Sequence, residues 1–223
     1  MILTVANLKG GSGRTTTALM LAQVASEHGA SVRVVDAVYQ GHAASTAKYA
    51  TKEGSPLPFP VDHVPIYQKH PETYPLTDRI LNPSSQYDLT IIDTPSHSPA
   101  AIRILSPVSD FVIIPAFPSS ADFHPTLATV ESVAGPCAVL LNRIGRAVTL
   151  EAEFLLQLQK KNVNIFDTAI PDIKALRGPF EGRMKDNLYD YEMVAGELQE
   201  MLRSKINVAW GTTYKPKSTA VPN

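Results

Sequence analysis

Cysteine is almost absent from these 223 residues: Cys137 stands alone, inside the apolar run Pro136 to Leu141. One thiol excludes an intramolecular disulfide and suits a small buried hydrophobe in a reducing compartment. It also supplies too few thiolates for an iron–sulfur cluster. Net charge is missing too, with 20 Lys plus Arg against 21 Asp plus Glu. No global basic field therefore advertises nucleic acid, and any DNA contact needs a local patch. No apolar run approaches the roughly 18 residues of a membrane span, and Met1 to Asn7 lack the basic flank and cleavage site of a signal peptide. The expectation is a soluble cytoplasmic protein with no membrane partner.

What is present is a chain with 44% apolar residues, enough to build one sizeable core. Apolar, β-rich runs at Ile2 to Ala6, Ser31 to Asp36, Leu89 to Asp93, Phe111 to Pro115, Ala138 to Asn142 and Val163 to Ile170 read as strands. Their lack of polar alternation predicts a parallel sheet buried on both faces. Helical patterns fall between them, at Thr15 to His28 with Gly29 as a stop, Ala100 to Leu105, Pro125 to Val133, Leu150 to Lys161 and Tyr189 to Lys205. The order predicts an α/β fold, a doubly wound, mostly parallel sheet flanked by helices. Seven of the 18 prolines lie between Gly54 and Pro83, which leaves room for a short strand near Val61 to Val64 and a short helix near Leu76 to Leu81. Residues 1–206 are expected as a single domain and 207–223, polar and without periodicity, as a flexible tail.

The first strand runs directly into Lys9-Gly10-Gly11-Ser12-Gly13-Arg14-Thr15-Thr16-Thr17 and then a helix. Glycines in that position let backbone N–H groups turn inward around anionic oxygens, and the helix dipole adds positive potential. Thr15 is placed to ligate Mg²⁺ and Thr16 to reach the α-phosphate. The plain alternative is an ordinary Gly-rich turn between strand and helix.

This loop resembles the K-G-G-x-G-K-T-T loop of the ParA/MinD group of deviant Walker A ATPases, in particular the short ParA partition proteins without an upstream helix-turn-helix domain. The resemblance implies ATP and Mg²⁺ as ligands and an ATP-dependent homodimer in which Lys9, the early lysine, reaches the partner's nucleotide. Arg14 stands where the family has its second lysine, keeping the charge but replacing a compact ammonium with a planar fork. Val34-Val35-Asp36-Ala37-Val38-Tyr39-Gln40-Gly41 resembles the family's D-x-D-P-Q-G switch, with Asp36, Gln40 and Gly41 matching. Val38 falls where the family places the aspartate that orients the attacking water. Valine can neither accept a proton nor hold that water, so slow hydrolysis is expected, with Gln40 as a substitute water-holder. Val38 itself is expected to pack as an apolar residue at a strand end.

Tyr87 to Pro95 reads as a buried strand ending in an acid and resembles the family's Walker B segment Y-D-x-x-x-I-D-T-P. Asp93 would hold Mg²⁺ together with Thr15 and Asp36, whereas Asp88 caps or flanks the strand. Ile114 to Asp122 resembles the stretch near the family's dimer face, and Leu141-Asn142-Arg143 its strand-end N-R. That likeness assigns Asn142 to the adenine, with Pro171 and Asp172 lining the base pocket; loop and cap chemistry is the alternative for all three.

The family further implies nonspecific DNA and a ParB-type centromere-binding protein as partners. Lys160, Lys161, Arg203, Lys205, Lys215 and Lys217 could form a basic strip for DNA, or could be solvated cations favoured at helix C-termini. A nucleotide-gated scaffold without useful turnover remains open, on the strength of Val38 and Arg14. MinD-like membrane cycling is disfavoured because Thr212 to Asn223 lacks an apolar helical face, and a metabolic ligase would need a substrate pocket the sequence does not display.

Overall fold

The computed structural model describes residues 1–66, 77–145, 148–173, 176 and 188–203. The expected tail 207–223, Lys205 and Leu76 lie outside the described residues, as do the side chain of Arg203 and the segment 67–76.

Seven parallel strands form one sheet in the order β3-β2-β4-β1-β5-β6-β7: β1 Ile2–Val5, β2 Val32–Asp36, β3 Val61–His63, β4 Leu89–Asp93, β5 Phe111–Ala116, β6 Cys137–Ile144 and β7 Ile170–Pro171. Alternate residues of each strand serve different faces. Leu3, Val5, Val34, Ile91, Ile113 and Leu140 join one core with α1 (Arg14–Glu27) and α7 (Tyr191–Arg203). On the other face Val112, Ile114, Val139 and Leu141 pack with Ile102 of α4 (Pro99–Leu105) and with Phe154 and Leu158 of α6 (Val148–Lys160). Both faces are dry, which is why these strands carry apolar runs rather than alternation.

Three expectations need correction. A helix the apolar pattern does not announce, α2, covers His42–Lys52; only Ala43 and Ala50 are buried, so alanine, serine and threonine leave little periodic signal. The helix α5 runs Ser120–Ser132 and holds Pro125 inside it rather than at its start. Ser119 hydrogen-bonds the Asp122 carboxylate at the helix entrance, so the turn before the proline is already built. The long strand expected at Val163 to Ile170 shrinks to Ile170–Pro171 and one bridge between Val139 and Ile165. Between them the N–H groups of Asp167 and Thr168 donate to the Glu197 carboxylate of α7, at 2.8 and 2.7 Å, and are thereby lost to the ladder. In the proline-rich stretch, β3 appears as expected, and Thr77–Leu81 is a π-helical turn continuing into the single turn α3, Asn82–Ser84. Buried Arg33 of β2 anchors this region through Asp62 at 2.6 Å and the carbonyl of Arg79 at 2.9 Å. Cys137 is only partly buried, and that burial raises its thiol pKa.

Candidate functional site

The site lies where β2, β4 and β1 end side by side. Asp36 pairs with Asp93 and Asp93 with Val5, so the three carboxyl ends are level, as is usual for ligand crevices in open parallel sheets.

From β1 the chain enters the glycine loop. Gly11 and Gly13 take φ of 75° and 95°, and Gly13 caps α1 with no side-chain hydrogen bond. No acid occupies the first turn of α1, so its positive end is undiluted, and its leading N–H groups face the loop's concavity. Gly10 and Ser12 complete the cradle, Ser12 being buried, while Thr15 and Thr16 follow on the first turn. A side chain at position 13 would meet the Asn142 amide nitrogen at 2.6 Å. Asn142 donates that amide to the Ser12 carbonyl at 3.1 Å, and its Oδ1 is buried without a partner among the described residues.

Arg14 is turned inward. Its guanidinium donates to the carbonyls of Asn7 and Lys9, both at 2.6 Å, and of Thr94 at 3.0 Å. Desolvation lowers its pKa from the ordinary value, opposed by the charge of Asp93. Arg14 thus ties the loop to the end of β4. Its planar fork can bond several carbonyls at once in a way an ammonium cannot.

Thr15 donates to Asp93 Oδ2 at 2.6 Å, and Asp93 Oδ1 is buried without a partner among the described residues. Burial pushes the Asp93 carboxyl up to about 7; the Thr15 hydrogen bond opposes this, Asp36 adds to it, and Arg14 opposes it. An orphaned carboxylate oxygen beside a threonine hydroxyl suits a hard cation, so the residues fit Mg²⁺. Asp36 is engaged otherwise: its two oxygens accept the N–H groups of Val38 at 3.0 Å and Ala44 at 2.9 Å. It shapes the switch and the start of α2, and bears on the metal corner through its charge. Val38 is 6% exposed and apolar, as expected at a strand end, while Tyr39 and Gln40 are exposed. The Val38 carbonyl is met by His63 Nε2 at 2.9 Å.

Residues the sequence did not single out hold the loop. Asn7, fully buried, accepts the Lys9 N–H at 2.8 Å and donates to the Pro115 carbonyl at 2.8 Å. Thr129 of α5 accepts the Leu8 N–H at 2.9 Å. Tyr191 of α7 shares a 3.1 Å hydrogen bond with Thr17, and burial raises its pKa. A polar residue at the end of an apolar strand, as Asn7 is, was the available signal; threonines spaced along a helix gave none. Pro171 ends β7, and the Asp172 N–H donates to the Ile144 carbonyl at 3.0 Å, which places both beside the end of β6, close in register to Asn142. Asp88, as expected, flanks its strand, accepting from Ser31. Of the proposed basic strip, Lys160 and Lys161 are exposed at the end of α6; Lys205, Lys215 and Lys217 fall outside the described residues.

The CobQ/CobB/MinD/ParA nucleotide binding domain model matches residues 3–183. The chain belongs to this family. Among relatives, it is 31% identical to the maintenance of carboxysome distribution protein A of Halothiobacillus neapolitanus over 59% of this chain, a match spanning 57% of that protein. With the same-named protein of Gloeobacter kilaueensis the identity is 29%, over 88% of this chain and 93% of the relative. The chromosome-partitioning ATPase Soj of Thermus thermophilus is 29% identical, over 66% and 68%. Among solved structures, the ATP complex of a Cyanothece McdA variant superposes with a TM-score of 0.66 at 20% identity, covering 93% of this chain and 98% of that one. The pNOB8 ParA bound to nonspecific DNA gives 0.62 at 15% identity, covering 92% and 99%. The doubly wound parallel fold of the family is thereby shown, and the chain is a ParA-family P-loop ATPase. Among the described residues, no helix is long and apolar enough to cross a membrane.

Proposed function

We propose that this protein is an ATP-gated dimer of the ParA type that positions a cargo, binding Mg-ATP firmly and hydrolysing it slowly. The carrying observation is Lys9. Its backbone N–H is pinned by Asn7 and its carbonyl by Arg14, while its ammonium has no hydrogen-bonding partner among the described residues. A lysine with a fixed base and an uncommitted head is suited to cross to a second copy's nucleotide. Gly10, Gly11, Ser12, Gly13, Thr15 and Thr16 would hold the phosphates with Arg14. Asn142 would line the nucleotide's pocket through its partnerless oxygen, with Pro171 and Asp172, beside the end of β6, lining the base pocket. Thr15 and Asp93 would hold Mg²⁺, with Asp36 beside them; the ion supplies positive charge to the phosphate oxygens when bound. Nonspecific DNA serves as the track, and an adaptor of the ParB kind couples the cargo, which in relatives is a chromosome or a carboxysome by name.

Lys9→Ala should leave a folded monomer that still binds nucleotide. Light scattering with and without Mg-ATP tests this: a variant that dimerises as well as the parent overturns the cross-subunit role. A second reading, a scaffold without useful turnover, is favoured by the buried apolar side chain of Val38. Steady-state phosphate release separates the two.

A further inference from the structure

Directly after Asp93, the segment Thr94 to Ser98 runs beside the end of β1 and the phosphate loop. It is fastened along its length. The Thr94 hydroxyl donates to the Val5 carbonyl at 2.9 Å, the His97 N–H donates to the Leu8 carbonyl at 3.1 Å, and Ser98 caps α4 by accepting the Ala101 N–H at 3.3 Å. Between these ties His97 is held at φ 55°, a left-handed conformation that a non-glycine residue adopts at a cost. Its side chain is exposed, and its Nε2 lies 3.5 Å from where a Cβ on Gly10 would stand. An imidazole is therefore held beside the loop's first glycine, facing the space a side chain at position 10 would enter, on a backbone whose conformation is costly for a non-glycine residue. Strain maintained by several hydrogen bonds next to a ligand loop points to use of the side chain.

The chemistry needs such a group. The residue two positions after Asp36 is a buried valine, which offers an attacking water no polar contact. We propose that His97 contacts the terminal-phosphate end of bound ATP and holds the attacking water, supplying the polar contact that Val38 cannot. In that role the imidazole nitrogen accepts a hydrogen bond from the water. The water oxygen forms the new bond to the γ-phosphorus while the bond to the bridging oxygen breaks, its electron pair leaving with ADP. The water's proton passes to the imidazole and on to solvent. A neutral imidazole can accept this proton, whereas an amide can only orient the water. This role rests on the nucleotide-binding reading above.

The test uses the full chain with its histidines ¹³C-labelled and His97 assigned by its disappearance in His97→Gln. The His97 ring signal should move on adding Mg-AMPPNP and stay nearly still with Mg-ADP, because only the former carries a terminal phosphate. Turnover of His97→Gln and His97→Ala should fall about 10²-fold, while the Kd for fluorescent ADP stays within about twofold, the pattern of an interaction made in the transition state. Equal ring shifts with both nucleotides, or none, overturn the contact, and so does a fall in turnover without the phosphate-dependent shift. A shift with unchanged turnover overturns the water-holding role. Failure of ADP itself to bind would strike the nucleotide-binding reading and His97's role with it.

Discussion

The glycine loop and the switch segment make an instructive pair. Both leave the carboxyl ends of sheet strands, both lead into a helix, and both turn on a left-handed glycine, Gly13 before α1 and Gly41 before α2. In the loop the side-chain chemistry accompanies the backbone: Thr15, Asp93 and the half-buried Arg14 guanidinium converge. In the switch the skeleton persists without it. Asp36 still clasps Val38 and Ala44, but the side chain this clasp presents is a valine. A binding frame and a reactive group are thus separable, because one is built from backbone hydrogen bonds and the other from a single side chain.

The largest effect should come from restoring the missing group. Val38→Asp is expected to raise turnover by about 10²–10⁴-fold without tightening ATP affinity, and Gln40→Ala to remove residual activity only if the amide holds the water. Phosphate-release assays decide, and unchanged rates in both variants would mean that the side chain at position 38 does not limit hydrolysis.

Next is the pH dependence of the metal-free protein. Asp93, near 7 when folded and about 3.9 when unfolded, binds its proton more tightly in the native state. Stability should therefore be greatest below about pH 4 for this group and fall as pH rises toward 7, by a few kcal/mol at most. Urea melts in EDTA should show this slope, flattened in Asp93→Asn, whose Mg-ATP affinity should drop.

Gly13→Ala should cost about 1–3 kcal/mol of strain, because φ is 95° and the new methyl meets Asn142. Nucleotide titration should show weakened binding, while the corresponding change at Gly10, whose nearest atom is at 3.5 Å, should be mild. The smallest expected effect is Thr129→Val, which orphans the Leu8 N–H at a cost of about 1–2 kcal/mol, seen as a lower Tm.

How much of this was legible follows from what each signal is made of. The strands and the glycine loop announce themselves because burial on both faces and positive φ restrict residue type directly. The Thr15 and Asp93 pair followed from a motif whose spacing places both at one corner. Asn7 and Thr129 did not, since their partners lie more than a hundred residues apart in the chain. His97 sits in Ser96-His97-Ser98 between prolines, where sequence alone suggests only a loop. The missing stretch of β7 was illegible for a similar reason, as its N–H groups are captured by Glu197, a residue about thirty positions later.

The two margins of the sheet carry a separate consequence. Strand β3 has three residues and β7 two, the second of them Pro171, which has no N–H to offer. A margin so brief is a poor template for a further strand, so the sheet offers neighbouring molecules little purchase for edge-to-edge stacking. Crowding many copies into a small volume should accordingly leave them dispersed, with contacts between copies directed to surfaces other than the sheet margins.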